Sequence, residues 1–384
     1  RCLVGSEMCI RDRIYSIMKI IEIIYSLSSG GAERFVVDLS NEFVAKGNDV
    51  LLCTLLDDKK NNRAFYKFEL NQKIEYVNLG YEKLGISCIL SIYKLINKYK
   101  PDVVHMHLSN VPILCLFAIL FLRTSEYVVT CHNQCESELN YSKLPFIKKW
   151  LFRLGLYKMI AISDANAESI HRCYGKMPNA LIYNGRKSVS VSTELSKVKN
   201  EIRSFCRSDN TVVFLNIARY APQKNHKRLI RCFNKFIESG YDAILLIIGS
   251  DFNSKSGLEL QTAACNSIFF LGQKHNISDY LSLSDIFVLS SDFEGMPITL
   301  IEALANACVP VGTPVSGIID VVEDGVNGFI SSNFTDESFI KLLVRSYKGY
   351  KLINGAKLIE TYNDKLSISV CADQYLDFFG IKRK

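Results

Sequence analysis

The chain has no apolar run of the roughly 18 residues that a membrane-spanning helix needs; its longest candidate, Val111 to Leu122, is too short. It also lacks a Cys-x-x-Cys pair, an Asp-x-Asp triplet, an internal repeat, a low-complexity tract and a secretory signal. These absences argue against an integral membrane protein, a thioredoxin-like redox centre, a solenoid and a secreted scaffold. The 13 cysteines do not reverse this, because they scatter through apolar segments, with Cys53, Cys232, Cys308 and Cys371 at core-like positions. They read as reduced, buried thiols, which suits the cytoplasm. A strong charge of one sign is missing too: 46 basic and 39 acidic residues leave only +7. No nucleic-acid partner is expected, and an anionic substrate or a membrane surface fits that balance equally well.

What is present is alternation. A chain of 384 residues exceeds one typical domain, so two units of about 150–200 residues are expected. Residues 1–17 carry no clear periodicity and read as a non-native leader, with Met18 directly before the first strand. Apolar runs at Lys19–Tyr25, Asp49–Leu55, Ile74–Asn78, Val103–Met106, Tyr127–Cys131, Met159–Ile162 and Ala180–Tyr183 alternate with helical stretches such as Ala32–Lys46 and Ile86–Tyr99. The polar region Arg186–Asn210 reads as the linker between the units and the lead-in to the second. The alternation then restarts with strands at Val212–Ile217, Ile244–Ile248, Ile268–Leu271, Ile286–Leu289 and Val309–Val311. Near-continuous apolar strands between helices predict an α/β fold of two doubly wound, Rossmann-like parallel sheets facing across a cleft. The expected units are 18–190 and 191–365.

The segment with the most chemistry follows the Ile286–Leu289 strand: Ser291-Asp292-Phe293-Glu294-Gly295-Met296-Pro297-Ile298-Thr299-Leu300-Ile301-Glu302. Pro297 suits the first position of a helix. A strand, an acidic glycine loop and a helix would point free N–H groups and a positive helix end above the sheet, with Glu294 in the loop and Glu302 in the helix. N–H groups suit phosphate and carboxylates suit sugar hydroxyls, so a nucleotide sugar satisfies both. The segment resembles the Glu-x7-Glu motif of retaining GT-B glycosyltransferases of the family 4 type, also called glycosyl transferases group 1.

Other segments carry the same resemblance. Arg219 and Lys224 lie in Asn216-Ile217-Ala218-Arg219-Tyr220-Ala221-Pro222-Gln223-Lys224-Asn225, after the first strand of the second unit. Two cations there can neutralise a diphosphate and stabilise its growing charge as it leaves; without the glutamate motif they would read as a solvated helix start. Gly30 and Gly31 stand in Ser28-Ser29-Gly30-Gly31-Ala32-Glu33-Arg34, similar to the family's glycine turn. His132, in Thr130-Cys131-His132-Asn133, matches the family histidine near the donor sugar, against a plain reading as a capped strand end. His105 and His107 alternate on one strand and are expected to face the cleft. Asn184-Gly185 resembles the family's Asn-Gly-Val-Asp, except that Arg186 and Lys187 replace its last two residues, and Gly249-Ser250-Asp251 departs from the usual Gly-x-Gly.

The resemblance spans Met18 to Gly380. It implies that the C-terminal helix, within 366–384, crosses back to the first unit. It implies a donor site of Gly30, Gly31, Arg219, Lys224, Glu294, Gly295, Met296, Pro297, Ile298, Thr299 and Glu302, with His132, Glu294, Arg219 and Lys224 nearest the chemistry, Glu302 on the ribose, and the N–H groups of Ile298 and Thr299 on the distal phosphate. The implied partners are a nucleotide-diphosphate sugar, UDP-linked, and a glycan or lipid-linked acceptor in surface polysaccharide, capsule or lipopolysaccharide assembly. No cofactor and no metal are expected. A zinc site from His105, His107, Cys131, His132 and Cys135 does not match a standard finger spacing. Residues 143–158 mix Lys143, Lys148, Lys149, Arg153 and Lys158 with Phe146, Trp150 and Leu151, a basic amphipathic stretch suited to peripheral contact with the inner face of the plasma membrane or to packing on the sheet. The alternatives are a nucleotide-sugar epimerase or hydrolase on the same scaffold and a non-catalytic donor-binding subunit.

Overall fold

The structure, a computed structural model, describes residues 17–380 except Ser109, Tyr141 and Lys143, and omits the side chains of Ser137, Glu138 and Asn140. The expected leader therefore lies outside the described residues, apart from Ile17.

The first seven apolar runs form β1 (Lys19–Ile24), β2 (Asp49–Leu56), β3 (Glu75–Tyr81), β4 (Val103–His107), β5 (Glu126–Cys131), β6 (Lys158–Ala161) and β7 (Ala180–Leu181). They pair in parallel in the order β3-β2-β1-β4-β5-β6-β7. A second parallel sheet, ordered β10-β9-β8-β11-β12-β13, comprises β8 (Val212–Ile217), β9 (Ala243–Ile248), β10 (Ile268–Gly272), β11 (Ile286–Leu289), β12 (Val309–Gly312) and β13 (Phe329–Ile330). Both sheets reverse direction of winding beside their first strand, between β1 and β4 and between β8 and β11. Ligands in such sheets bind beyond the strand ends at that crevice.

Each sheet is covered on two faces, which explains why its inner strands are mostly apolar rather than alternating. In the first sheet, one core forms around Ile21, Leu51, Met106 and Val129. The opposite core forms around Ile20, Val50, Val103 and Val128, under Phe35 of the Gly31–Ala45 helix and Tyr375 and Phe379 of the closing helix Ile368–Gly380. That closing helix is the chain's return to the first unit, reached through a wide helical turn at Tyr362–Leu366. The described cysteines are free, and most are buried in these cores.

Within the linker and lead-in of 186–210, Leu195–Phe205 is a helix that buries Val198 and Ile202 against the second sheet. These two residues one turn apart, with Phe205 stacked on Phe269 at the helix end, dock a helix that is otherwise largely polar. Among the described residues of 144–158, two of the basic side chains are drawn away from the open surface. In the helix Pro145–Arg153, Lys148 is buried along with Leu151 and Phe152, and Lys158 pairs with Glu126. The exposed row is apolar instead: Phe146, Trp150 and Leu154, one turn apart, with Leu144 beside them.

Candidate active site

The two winding crevices face each other, and the contact between them is backbone-close. A Cβ on Gly295 would lie 2.5 Å from the carbonyl oxygen of His132, and one on Gly317, at φ +75°, would lie 1.9 Å from the carbonyl oxygen of Gly295. Only glycine lets the acidic loop of the second unit reach the end of β5 in the first. Gly31 meets Ile298 across the same seam, and Asn184 donates to the Met296 carbonyl at 3.4 Å.

On the second unit, β11 delivers Ser290 and Ser291, and the loop then turns into the helix Ile298–Ala305. Pro297 caps this helix rather than occupying its first position, with extended backbone at φ −67°, ψ 117°. The shift of one residue leaves the N–H groups of Ile298 and Thr299 in the first turn, where no preceding carbonyl can take them. Lys224 reaches the same corner from the turn after β8. Its ammonium donates to Glu294 Oε1 at 2.6 Å, and Ser291 donates to the same oxygen at 2.6 Å. Glu294 is buried and Lys224 nearly so. Arg219 is exposed at the end of β8. Its charge counteracts the burial that raises the Glu33 carboxyl in the opposite glycine turn, as does a hydrogen bond from Ser28.

Glu302 carries an ion pair within the protein. Its Oε1 accepts from Arg186 Nε at 2.7 Å, and Arg186 Nη1 donates to Asp38 of the first helix at 2.5 Å. Arg186 is itself buried. The departure from Asn-Gly-Val-Asp thus supplies a cation that joins the two units behind the cleft. Asp251, the other departure, stands at φ +70°, so its backbone takes the left-handed conformation that a glycine would supply.

On the first unit, His132 lies just past β5 and is largely buried. His105 and His107 are fully buried and do not face the cleft. Alternation puts them on one face of β4, but that face is roofed by the first and closing helices. There they flank Glu22 of β1, a residue that motif reading passed over: His105 Nδ1 lies 3.1 Å and His107 Nε2 2.6 Å from its two carboxylate oxygens. Burial works against the charge, yet His105 and His107 hold the Glu22 carboxyl down at about 2. A lone acid inside the run Lys19-Ile20-Ile21-Glu22-Ile23-Ile24 was the available signal, since a charge in such a strand must find partners. The zinc grouping is not assembled. Cys131 and Cys135 belong to the opposite core, and among the described residues only Glu22, His105 and His107 cluster closely enough to be considered as ligands.

Comparison with known proteins agrees with this architecture. Residues 198–354 match the family described as Glycosyl transferases group 1, and residues 29–187 match Glycosyltransferase Family 4. An Escherichia coli protein named UDP-Gal:alpha-D-GlcNAc-diphosphoundecaprenol alpha-1,3-galactosyltransferase is 26% identical, over 85% of this chain and 86% of its own length. The Staphylococcus aureus capsular polysaccharide biosynthesis glycosyltransferase CapH is 21% identical, over 90% and 94%. Among solved structures, Anabaena HepE in complex with UDP and glucose superposes with a TM-score of 0.76 at 17% identity, covering 94% of this chain and 99% of its own.

Proposed function

From the premise that the chain is a GT-B glycosyltransferase of the group 1, family 4 type, we propose that it moves a sugar, with retention, from a UDP-sugar to a hydroxyl of a lipid-linked or capsular glycan. The observation that carries this reading is the Lys224–Glu294 pair at the mouth of the Ile298–Ala305 helix, opposite the glycine turn and His132. UDP is favoured by the names of the Escherichia coli relative and of the Anabaena complex. Lipid-linked and capsular acceptors are favoured by the relatives' names.

In this reading the first-turn N–H groups of Ile298 and Thr299 and the cations Arg219 and Lys224 bind the diphosphate. Glu294 holds the Lys224 ammonium in place and contacts the sugar. Preorganised cations stabilise charge that grows on the leaving oxygen. The bond from the anomeric carbon to the phosphate oxygen breaks, the bond to the acceptor oxygen forms on the same face, and the acceptor proton passes to the leaving phosphate. No metal enters this scheme, and Lys224 and Arg219 take the neutralising role. Glu302, held by Arg186 through one of its oxygens, meets the ribose.

The outward row of Phe146, Trp150 and Leu154, with Lys149 and Arg153 beside it, supports contact with an anionic bilayer on its cytoplasmic face, where a lipid-linked acceptor is found. No described helix is long and apolar enough to cross a membrane.

The test is transfer from UDP-sugars to an undecaprenyl-diphosphate-linked sugar in EDTA, with the anomeric configuration of the product read by NMR. An α-linked product from an α-donor supports the reading. An inverted product removes retention; a released free sugar or an epimer without any transfer removes the transferase assignment in favour of the hydrolase or epimerase.

A further inference from the structure

The buried array around Glu22 is more elaborate than a strand needs. Glu22 Oε2 is 2.6 Å from His107 Nε2, and His107 Nδ1 is 2.9 Å from His132 Nε2. On its other side Glu22 meets His105 Nδ1, and His105 Nε2 is 2.8 Å from Thr130 Oγ1, which is 2.9 Å from the Tyr375 hydroxyl of the closing helix. Glu22, His105, His107 and Thr130 have no solvent exposure.

Proton positions follow from what each atom can do. The ionised carboxylate of Glu22 only accepts, so the proton between it and His107 sits on His107 Nε2. A neutral imidazole carries one proton. His107 is held neutral, lowered to about 4 by burial and by the neighbouring His105. Its Nδ1 is then an acceptor, and the proton of that contact belongs to His132 Nε2. Burial and the nearby His107 also keep His132 neutral. Its second nitrogen, Nδ1, therefore carries a bare lone pair. That atom has no protein partner among the described residues and is not fully sealed from solvent, on a residue whose own carbonyl meets Gly295 of the acidic loop. The ring's orientation is fixed as well, by the edge of Phe35 at a centroid distance of 5.6 Å.

A metal ion does not explain the array. Two ligand atoms on one tetrahedral zinc at about 2.0–2.1 Å stand roughly 3.3 Å apart, whereas Glu22 and His107 touch at 2.6 Å, which is a charge-assisted hydrogen bond.

We propose that Glu22 is a positioning residue which, through His107, fixes His132 with its proton on Nε2 and presents His132 Nδ1 to the cleft as an acceptor for a sugar hydroxyl. The proposal rests on the reading of this cleft as the donor site. It makes His132 a group that accepts a hydrogen bond from the sugar and donates none to it, so a donor whose hydroxyl at that point is replaced by hydrogen or an ether loses the contact.

The test is the 15N spectrum of the ligand-free, histidine-labelled full chain near neutral pH, with the His132 signals assigned by their loss in His132→Gln. The expected result is a protonated Nε2 and a bare Nδ1 in the wild type. In Glu22→Gln, and independently in His107→Phe, the expected result is a mixed or reversed tautomer. The donor kcat should fall about tenfold or more in these variants, with KM changed less. Addition of Zn2+ to the wild type should leave the spectrum unchanged. A wild-type His132 protonated on Nδ1, an unchanged tautomer in both variants, or a zinc-induced shift of these histidines would overturn the proposal. These spectra are read without any sugar, so a failure of donor binding beside the expected tautomer would count against the transferase reading and not against the array.

Discussion

Arg186 sits between Glu302 and Asp38, 2.7 Å from the first and 2.5 Å from the second, and so ties the helix carrying the second glutamate of the Glu-x7-Glu motif to the first helix of the other unit. Because all three groups are largely removed from water, their charges depend on one another. Removing one member of a buried ion pair leaves an uncompensated charge, at a cost of about 3–5 kcal/mol. Arg186→Val, which restores the residue of the resembling motif, is expected to lower stability by that order and to weaken donor binding through a loosened Glu302. Chemical denaturation and donor titration check this. Unchanged stability would mean that the bridge is not formed in solution.

Gly295→Ala tests the seam between the units. The added Cβ would meet the backbone carbonyl of His132 at 2.5 Å, and backbone cannot swing aside as a flexible side chain can. Overpacking of this kind costs about 1–3 kcal/mol. The larger expected effect is a loss of turnover of at least about tenfold, because the acidic loop and His132 are pushed apart. A fully active Gly295→Ala enzyme would show that this approach is not part of the working geometry.

Much of this was readable in the residues, for a physical reason. Strands buried on both faces are continuous apolar runs, so β1 to β12 stood out with small errors at their ends. β13, with two residues, is too short for any pattern to reveal. The Leu195–Phe205 helix was hidden because only Val198 and Ile202 of it are fully buried, with Phe205 partly buried at its end, among polar residues. At the site, Lys224 and Glu294 were each recognisable in a local motif, but their contact spans 70 positions of sequence. Glu22 was the opposite case: no motif names it, and its histidine partners lie 83 and 85 positions away. On residues 144–158 the sequence does not say which lysines are drawn inward, as Lys148 is.

Acid should destabilise the fold through its buried histidines. Burial lowers His107 and His226 from 6.5 to about 4, with His105 adding to the first and Lys224 to the second, and burial with His107 lowers His132 further. The unfolded chain therefore takes up protons that the folded one refuses. Their stabilising effect is complete above about pH 6.5 and is lost as pH falls towards 4. The melting temperature should drop across this window, and less steeply in His226→Gln. A flat or rising profile there would contradict the neutral, buried assignment.

Trp150 is the single tryptophan of the chain and lies on the exposed apolar row, so its fluorescence reports directly on membrane contact. Vesicles containing anionic lipid should shift its emission to the blue. Burying one such aromatic contributes about 1.5–3 kcal/mol, so Phe146→Ser should weaken vesicle binding about tenfold or more. An emission spectrum indifferent to anionic vesicles would remove the peripheral contact from the account.

The central claim is that the corner formed by Lys224, Glu294 and the Ile298–Ala305 helix holds a nucleotide-diphosphate sugar without a metal. Calorimetric titration of UDP-, GDP- and ADP-sugars in EDTA, on the wild type and on Lys224→Ala, tests it most directly. The predicted result is binding of a UDP-sugar that EDTA leaves intact and that weakens by about 2–3 kcal/mol in the variant, on the scale of a lost charge-assisted contact. No binding of any nucleotide sugar, binding that requires a divalent ion, or equal affinity in Lys224→Ala would contradict it.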